Sequence, residues 1–226
     1  STQTYLVKMK QIISIIIPTF NQEKFIGRCL RSLLDQSLDR KLYEIIVIND
    51  GSKDYTNLAL NLFKDEIKLV TNKKNMGLPY SLNKGILSSK GRYVVRVDSD
   101  DYVNKEFLNI LWSFLSSNPD MDAVACDYYQ VDEKERILKR VNVNNHPIGC
   151  GIMFRIEQLL DIGLYDKSFL VHEDRDLRFR FLKKHNIYRL PIPLYRYRKH
   201  NTNITNDEKK MKKHLKQLKK KHKIKK

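Results

Sequence analysis

Asp98-Ser99-Asp100-Asp101 puts three carboxylates into four positions, directly behind the apolar run Tyr93-Val94-Val95-Arg96-Val97. Carboxylates this close repel one another at neutral pH, and a shared cation relieves the repulsion. Hard divalent ions such as Mn2+ and Mg2+ take oxygen ligands, commonly one or two carboxylates plus substrate phosphates. The four residues therefore point to a metal–diphosphate site. For an Asp-x-Asp standing alone, a solvated acidic turn capping a helix over Lys105–Asn118 is the commoner reading, so the rest of the chain must decide.

The acidic turn needs elements that place it. Tyr93–Val97 reads as a buried strand, short and rich in β-branched residues, and it is the fourth of a series. Ile12–Pro18, Tyr43–Asn49 and Ile67–Thr71 read as strands, with helices over Glu23–Asp35, Thr56–Phe63 and Leu78–Ser89 between them. This β-α-β-α rhythm predicts an α/β fold with a mainly parallel central sheet and helices on both faces. Such a sheet delivers the loops after its strands to one edge, where open α/β sheets bind ligands. Those loops are Pro18-Thr19-Phe20-Asn21, Asn49-Asp50-Gly51-Ser52-Lys53-Asp54, Asn72–Gly77 and Asp98–Asp101. Phe20 offers a ring to stack a base, and Asp50 an acceptor for a base N–H. Each loop alone is a turn or a helix cap; their conjunction is not.

Beyond Asp101 the rhythm loosens. Leu108, Leu111, Trp112 and Leu115 give a helical face, Ala123–Val131 a strand, and Gln130–Pro147 a polar stretch expected to be mobile. Glu173–His185 reads as a helix with an acidic start, followed by short strands at Ile187–Pro191 and Leu194–Arg198.

The 226 residues suffice for a single core. No apolar run approaches a membrane-spanning helix, and Ile12–Pro18 is too short and lacks a secretory cleavage site. Cys29, Cys126 and Cys150 are odd in number and widely spaced, which gives neither a disulfide framework nor a zinc site and fits a reducing cytoplasmic compartment. Of the net charge of +17, the tail from Asn206 to Lys226 carries +9, eleven lysines against Asp207 and Glu208. Met211, Leu215 and Leu218 recur there at helical spacing. The tail reads equally as an amphipathic helix on an anionic membrane surface, peripheral on its inner face, and as a disordered lysine tract. It has no aromatics, which ranks nucleic acid behind both. The chain divides into an extension (1–11), a main domain (12–205, its nucleotide-binding half 12–101 and its acceptor-binding half 102–205) and the tail (206–226).

Ile15-Ile16-Ile17-Pro18-Thr19-Phe20-Asn21, Ile48-Asn49-Asp50-Gly51-Ser52-Lys53-Asp54, Asn75-Met76-Gly77 and Val97-Asp98-Ser99-Asp100-Asp101 occur in this order. Together they resemble the inverting family 2 glycosyltransferases of the GT-A fold, from about Ile12 to Thr205. The resemblance implies a nucleotide-diphosphate-sugar donor, with a UDP-sugar favoured, and Mn2+ or Mg2+ as cofactor. It implies that Pro18, Phe20 and Asp50 line the base pocket and that Asp98 contacts the ribose or the metal shell. Asp100 would be the principal metal ligand, and Asp101 would support the metal or the sugar. Glu173-Asp174 matches the motif whose aspartate is the general base, which gives Asp174 that role and Glu173 a supporting one. Tyr197-Arg198-Lys199-His200, followed by Asn203-Ile204-Thr205, resembles the family's C-terminal segment, and Arg198 or His200 would reach the diphosphate or the metal. Where many members carry Ala-Arg-Asn, this chain has Ser81-Leu82-Asn83, leaving Lys74, Lys84 or Arg92 to supply the missing cation.

The chemistry agrees with these roles. A sugar hydroxyl attacking an anomeric carbon needs one carboxylate to take its proton, and a diphosphate neutralised by a metal leaves without one. The expected activity is hexosyl or N-acetylhexosaminyl transfer to a glycan or lipid-linked acceptor in cell-surface polysaccharide or glycoconjugate synthesis. The Gln-x-x-Arg-Trp of processive synthases is absent, which favours single transfers.

The alternatives are a haloacid-dehalogenase-like phosphatase or a non-enzymatic basic module binding nucleic acid or membrane. The first needs its Asp-x-Asp near the N-terminus with Thr or Val at the position of Tyr102. The second leaves the body motifs unexplained. A calcium EF-hand fails on Val103 and Asn109, a dinucleotide fold lacks G-x-G-x-x-G, and a sugar nucleotidyltransferase lacks its glycine-rich N-terminal loop.

Overall fold

The computed structural model describes residues 10–200 and 207–224. The first half winds β1 (Ile13–Thr19), α1 (Ile26–Leu34), β2 (Tyr43–Asn49), α2 (Thr56–Asn61), β3 (Lys68–Thr71), α3 (Leu78–Leu87) and β4 (Tyr93–Arg96). β1 and β2 are apolar nearly throughout and buried at every position, as strands covered on both faces must be. They pair in parallel, Ile15 opposite Ile45 and Ile17 opposite Val47; β3 and β4 extend the parallel set on either side.

Helices close both faces. α1 buries Ile26, Cys29, Leu30 and Leu33, the i, i+3, i+4, i+7 stripe of a core-facing helix. α3 lies directly on β1 and β2 because Gly85 carries no side chain: a Cβ there would sit 2.6 Å from Ile48 Cδ1 and 2.7 Å from Ile16 Cγ2. Carbon atoms in contact normally sit about 3.5–4.0 Å apart, so any larger residue would push α3 off the sheet.

The second half adds β5 (Tyr102–Val103), α4 (Phe107–Ser117), β6 (Ala123–Val131), β7 (Ile137–Val141), β8 (Ile152–Arg155), α5 (Ile156–Asp161), α6 (Glu173–Leu182), β9 (Ile187–Arg198) and α7 (Glu208–His222). All strands join one sheet in the order β3-β2-β1-β4-β8-β6-β9-β5, with β7 paired to β6. The expected parallel character holds through β1–β4. Beyond them the sheet is mixed: β8 runs antiparallel to β4 and β6, and β9 parallel to β6.

Two expectations change. The stretch Gln130–Pro147 contains β7, an edge strand exposed at four of its five positions, so its polar sequence reflects its position at the sheet edge. The two short C-terminal strands are one, β9, whose register against β6 shifts around Asp127. Pro191 and Pro193 sit where that irregularity removes the need for ladder N–H groups.

The tail forms α7, and its apolar stripe is turned inward. Leu218 is 1% exposed and His214 4%, while Met211 and Leu215 are half-buried. Docking on α6 is ionic as well: Lys221 Nζ and His222 Nε2 lie 2.7 and 2.8 Å from Asp176 Oδ1, and Arg180 reaches Oδ2 at 2.9 Å. Burial alone would raise the Asp176 pKa, but these partners outweigh it and hold the carboxyl below its usual value. A buried carboxylate stripped of its partner costs about 3–5 kcal/mol, so Asp176 anchors α7 firmly. The segment Asn203-Ile204-Thr205 and residues 1–9 lie outside the described residues.

Candidate active site

A cleft of about 1200 Å³ opens at the carboxyl edge of β1, β2 and β4. Its walls include Pro18, Phe20, Asp50, Asp98 and Asp100 from the first half and Glu173 and Asp174 from the second. The resemblance thus names residues that lie up to 156 positions apart in sequence and that the fold brings to one cavity.

On the base side, Phe20 is 42% exposed, an open ring face beside Pro18. Asp50 is 4% exposed, and its carboxylate is heavily engaged within the protein. Oδ1 accepts from Met76 N–H at 2.7 Å and Asn72 Nδ2 at 2.8 Å, and Oδ2 from Gly77 N–H at 2.9 Å. Its visible work is to tie the loop after β3 to the end of β2 and so fix that wall of the pocket.

The acidic turn is held from behind by β9. Tyr195 Oη accepts from Asp98 N–H at 3.1 Å and donates to Asp101 Oδ2 at 2.6 Å, and Arg198 N–H donates to Asp101 Oδ1 at 2.9 Å. Asp101 is 2% exposed and is not among the residues that line the cleft. Burial, then the charges of Asp100 and Asp98, push its pKa well up. The expectation that Arg198 reaches the diphosphate gives way: its Nε donates to the Asp100 carbonyl at 2.8 Å and its guanidinium stacks 4.6 Å from the Phe25 ring centroid. Arg198 positions the turn instead. His200 is buried, at 8% exposure, and its Nε2 meets Asp100 Oδ2 at 2.7 Å.

Which of these groups suit a metal follows from their chemistry. Among the described residues, Asp98, Asp101 and Cys150 bring donor atoms within 4.8 Å of one another, but each is committed to the protein. Asp98 pairs with Arg96, Asp101 with Tyr195 and Arg198, and burial pushes the Cys150 thiol well up. A protonated thiol is a poor ligand for a hard cation. Asp100, on the cleft wall with an imidazole nitrogen against its carboxylate, offers the oxygen and nitrogen donors that Mn2+ accepts, so these residues fit the expected cofactor.

Sequence reasoning missed Arg96. Its Nε and Nη2 donate to the two carboxylate oxygens of Asp98 at 2.7 and 3.3 Å, and its Nη1 to Glu173 Oε1 at 3.0 Å. One guanidinium thus links the donor-side turn to the acidic start of α6, a bidentate geometry lysine could not copy. Glu173 is 6% exposed; burial and then the charge of Asp174 push its pKa up to about 7, against the pull of Arg96. The signal was legible: a lone cation inside a buried strand needs a partner, and Asp98 lies two residues on.

Asp174 opens α6 next to His172, which holds a left-handed backbone at φ 59°. Gly149 is the floor beneath it: a Cβ there would lie 2.6 Å from Asp174 Cβ and 2.8 Å from Arg96 Nη1. The cation expected in place of the missing arginine does not come from Lys74, Lys84 or Arg92, none of which lines the cleft. Lys84 instead donates to Asn72 at 2.8 Å, and Leu82, at the arginine position, is core. The cations on the wall are Arg175, Arg178 and, from α7, Lys210.

Comparison with known proteins bears on the fold and the family. An uncharacterised glycosyltransferase of Rickettsia typhi is 32% identical over 216 residues, covering 86% of this chain and 66% of that protein. The poly(ribitol-phosphate) beta-glucosyltransferase of Bacillus spizizenii is 37% identical over 110 residues, 47% of this chain and 17% of that one. The chain spans two thirds or less of the length of the curated relatives it matches first. Among solved structures, S. aureus TarS 1-349 in complex with UDP-GlcNAc superposes with a TM-score of 0.76 at 23% identity, over 87% of this chain and 61% of that one. The mannosyltransferase PcManGT of Pyrobaculum calidifontis, in complex with GDP-Man and Mn2+, gives 0.75 at 18% identity, over 94% and 64%. At these identities the structures show a shared GT-A fold. No support emerges for the phosphatase or for the non-enzymatic basic module. Residues 14–184 match the model of glycosyl transferase family 2, and the chain belongs to that family.

Proposed function

We propose that the protein transfers one hexosyl or N-acetylhexosaminyl unit, with inversion, from a UDP-sugar to a hydroxyl of a glycan or lipid-linked acceptor of the cell surface. The observation that carries this reading is the shared cleft: Asp174 lines the same cavity as Pro18, Phe20, Asp98 and Asp100. The UDP and UDP-GlcNAc complexes of TarS favour a uridine donor, and the poly(ribitol-phosphate) relative favours a cell-surface product.

In this scheme Phe20 stacks the base and Pro18 bounds it, while Asp50 keeps the loop after β3 in place. Asp98, oriented by Arg96, faces the ribose. Asp100 and His200 would hold Mn2+ or Mg2+, which when bound neutralises the charge developing on the departing diphosphate. Asp174 takes the proton from the attacking hydroxyl as the new bond forms. Glu173 stays beside it, bound to Arg96, and fixes the helix start from which Asp174 projects. One base is enough for a single displacement, and no second carboxylate is required as a nucleophile.

Among the described residues no helix is long and apolar enough to cross a membrane. Attachment to an inner membrane face would rest on the lysines of α7 alone, since its apolar side faces the protein. The donor assignment is tested by titrating a panel of nucleotide sugars with and without Mn2+. UDP-sugars should bind only with the metal, and Asp100→Ala should weaken that binding by at least the roughly 10- to 100-fold that loss of even an outer-shell partner costs a metal site, without loss of fold. Equal donor affinity in the variant would remove Asp100 from the site.

A further inference from the structure

Three cations face the acceptor side of the cleft with no carboxylate assigned to them. Arg175 and Arg178 project from the first turns of α6, and Arg178, one turn after Asp174, lies within reach of its charge. Lys210 arrives from the first turn of α7, a position fixed by His172 Nε2 meeting the Met211 carbonyl at 3.2 Å. Among the described residues, none of the three side chains makes a hydrogen bond or ion pair. The donor-side turn, with Asp100 and His200, is built from other elements, at the ends of β4 and β9.

The basic surface does not stop at the rim. Lys212, Lys213, Lys216, Lys219 and Lys220 are exposed along α7, and among the described residues the acid that pairs with any of them is Glu208, 3.8 Å from Lys212. Spaced at a few ångströms along a helix, well within the roughly 8 Å Debye length at physiological salt, they act as one continuous positive ridge ending at Lys210. A ridge that runs into a cleft fits a thin, flexible chain of negative charge. A bilayer is flat and cannot follow it inside, and α7 has no outward apolar face to insert, since Leu218 is 1% exposed against the protein.

We infer that the acceptor is a phosphodiester-linked chain, whose phosphates lie along α7 and enter the cleft between Lys210, Arg178 and Arg175, bringing the next sugar or polyol hydroxyl to Asp174. The inference rests on the transferase reading and adds the acceptor class to it. Arginine suits the inner positions, since its planar fork grips a phosphate through two parallel N–H groups, and lysine suits the outer ridge as a mobile point charge.

The test titrates the full chain with a short inorganic polyphosphate, with and without UDP and excess Mn2+, and with phosphatidylglycerol vesicles as competitor. Polyphosphate should bind with affinity that falls steeply with salt and should persist when UDP is bound. Lys212→Gln/Lys216→Gln/Lys219→Gln, all at exposed positions, should weaken binding about tenfold and flatten the salt slope through lost counterion release. Arg178→Gln, with its fold verified by circular dichroism, should weaken it comparably. Polyphosphate binding unaffected by Arg178→Gln, displacement by UDP, or vesicles outcompeting polyphosphate at equal phosphate would each overturn the inference. UDP-sugar binding is read in the same samples: its absence from the native chain would sink the transferase reading, whereas a failure confined to polyphosphate sinks the acceptor class alone.

Discussion

Arg96 and Gly149 carry more of the site than their places in the sequence suggest. Asp174 sits where it does because Gly149 leaves room for it, with a notional Cβ 2.6 Å from Asp174 Cβ. Gly149→Ala should therefore shift Asp174 and Arg96 by several tenths of an ångström. Misplacement of that order at a reacting centre costs roughly ten- to a hundredfold in turnover. UDP-sugar affinity should fall less than turnover, because the crowded Arg96 Nη1 is not the nitrogen that holds Asp98, and a kcat loss larger than the rise in donor Kd is the pattern to look for. Glu173 makes a second prediction, in pH. Its pKa is raised from an ordinary 4.5 to about 7 in the folded protein, with Asp174, Arg96 and Tyr165 the groups around it. A carboxyl raised on folding contributes full stability below its unfolded pKa and loses it as pH rises through the folded value. Glu173→Gln, which keeps the acceptor for Arg96 but cannot ionise, should gain stability relative to the native chain as pH rises from 4.5 to about 7, by up to a few kcal/mol, and hold that gain above it. Urea melts across that range check it; a difference independent of pH would contradict it.

Elements differ in how plainly the sequence announces them. Tyr43–Asn49 and Ala123–Val131 match their strands residue for residue, because an apolar run bounded by turn residues fits little besides a buried strand. β7 was illegible for the opposite reason: Ile137 and Leu138 are exposed and Lys139 and Arg140 are charged, so no burial pattern marks it. β9 was split by Pro191 and Pro193, which break a regular ladder and sit comfortably at an irregular one. The loops at the ends of β1, β2 and β4 were legible as a site because chemistry-bearing residues recur there. The support behind them was not, since Tyr195 is one aromatic among several on a strand, and its task becomes visible when β9 lies against β5. Tyr195→Phe removes the acceptor for Asp98 N–H and the donor to Asp101. Leaving those buried groups unpaired should cost about 1–3 kcal/mol. Chemical denaturation would measure that loss, and Mn2+ affinity should fall with it as the acidic turn loosens. Native stability in the variant would mean that β5 and Arg198 hold the turn without Tyr195.

At the scale of the whole molecule, a parallel half presents the loops proposed to bind the donor, and a mixed half returns to them with the proposed base, a clamp and a basic helix. Among the described residues several ion pairs join the halves, including Lys24–Glu133 and Arg28–Glu135, and at the cleft Arg96 of β4 holds Asp98 on one side and Glu173 of α6 on the other. α7 completes the acceptor side, anchored by Asp176 and turned outward with its lysines. Charge made the tail conspicuous in the sequence, but its inward apolar face could not be read there, because a stripe of Met211, Leu215 and Leu218 serves a membrane or a protein surface equally well. The central claim is that Asp174 acts on an acceptor hydroxyl beside a donor bound by the other half. It is tested most directly by Asp174→Asn, which keeps the side chain's shape and removes its basicity. The variant should bind UDP-sugar in the presence of Mn2+ as the native chain does, while turnover falls by roughly two to four orders of magnitude. Turnover within a few-fold of the native chain, with donor binding intact, would contradict it.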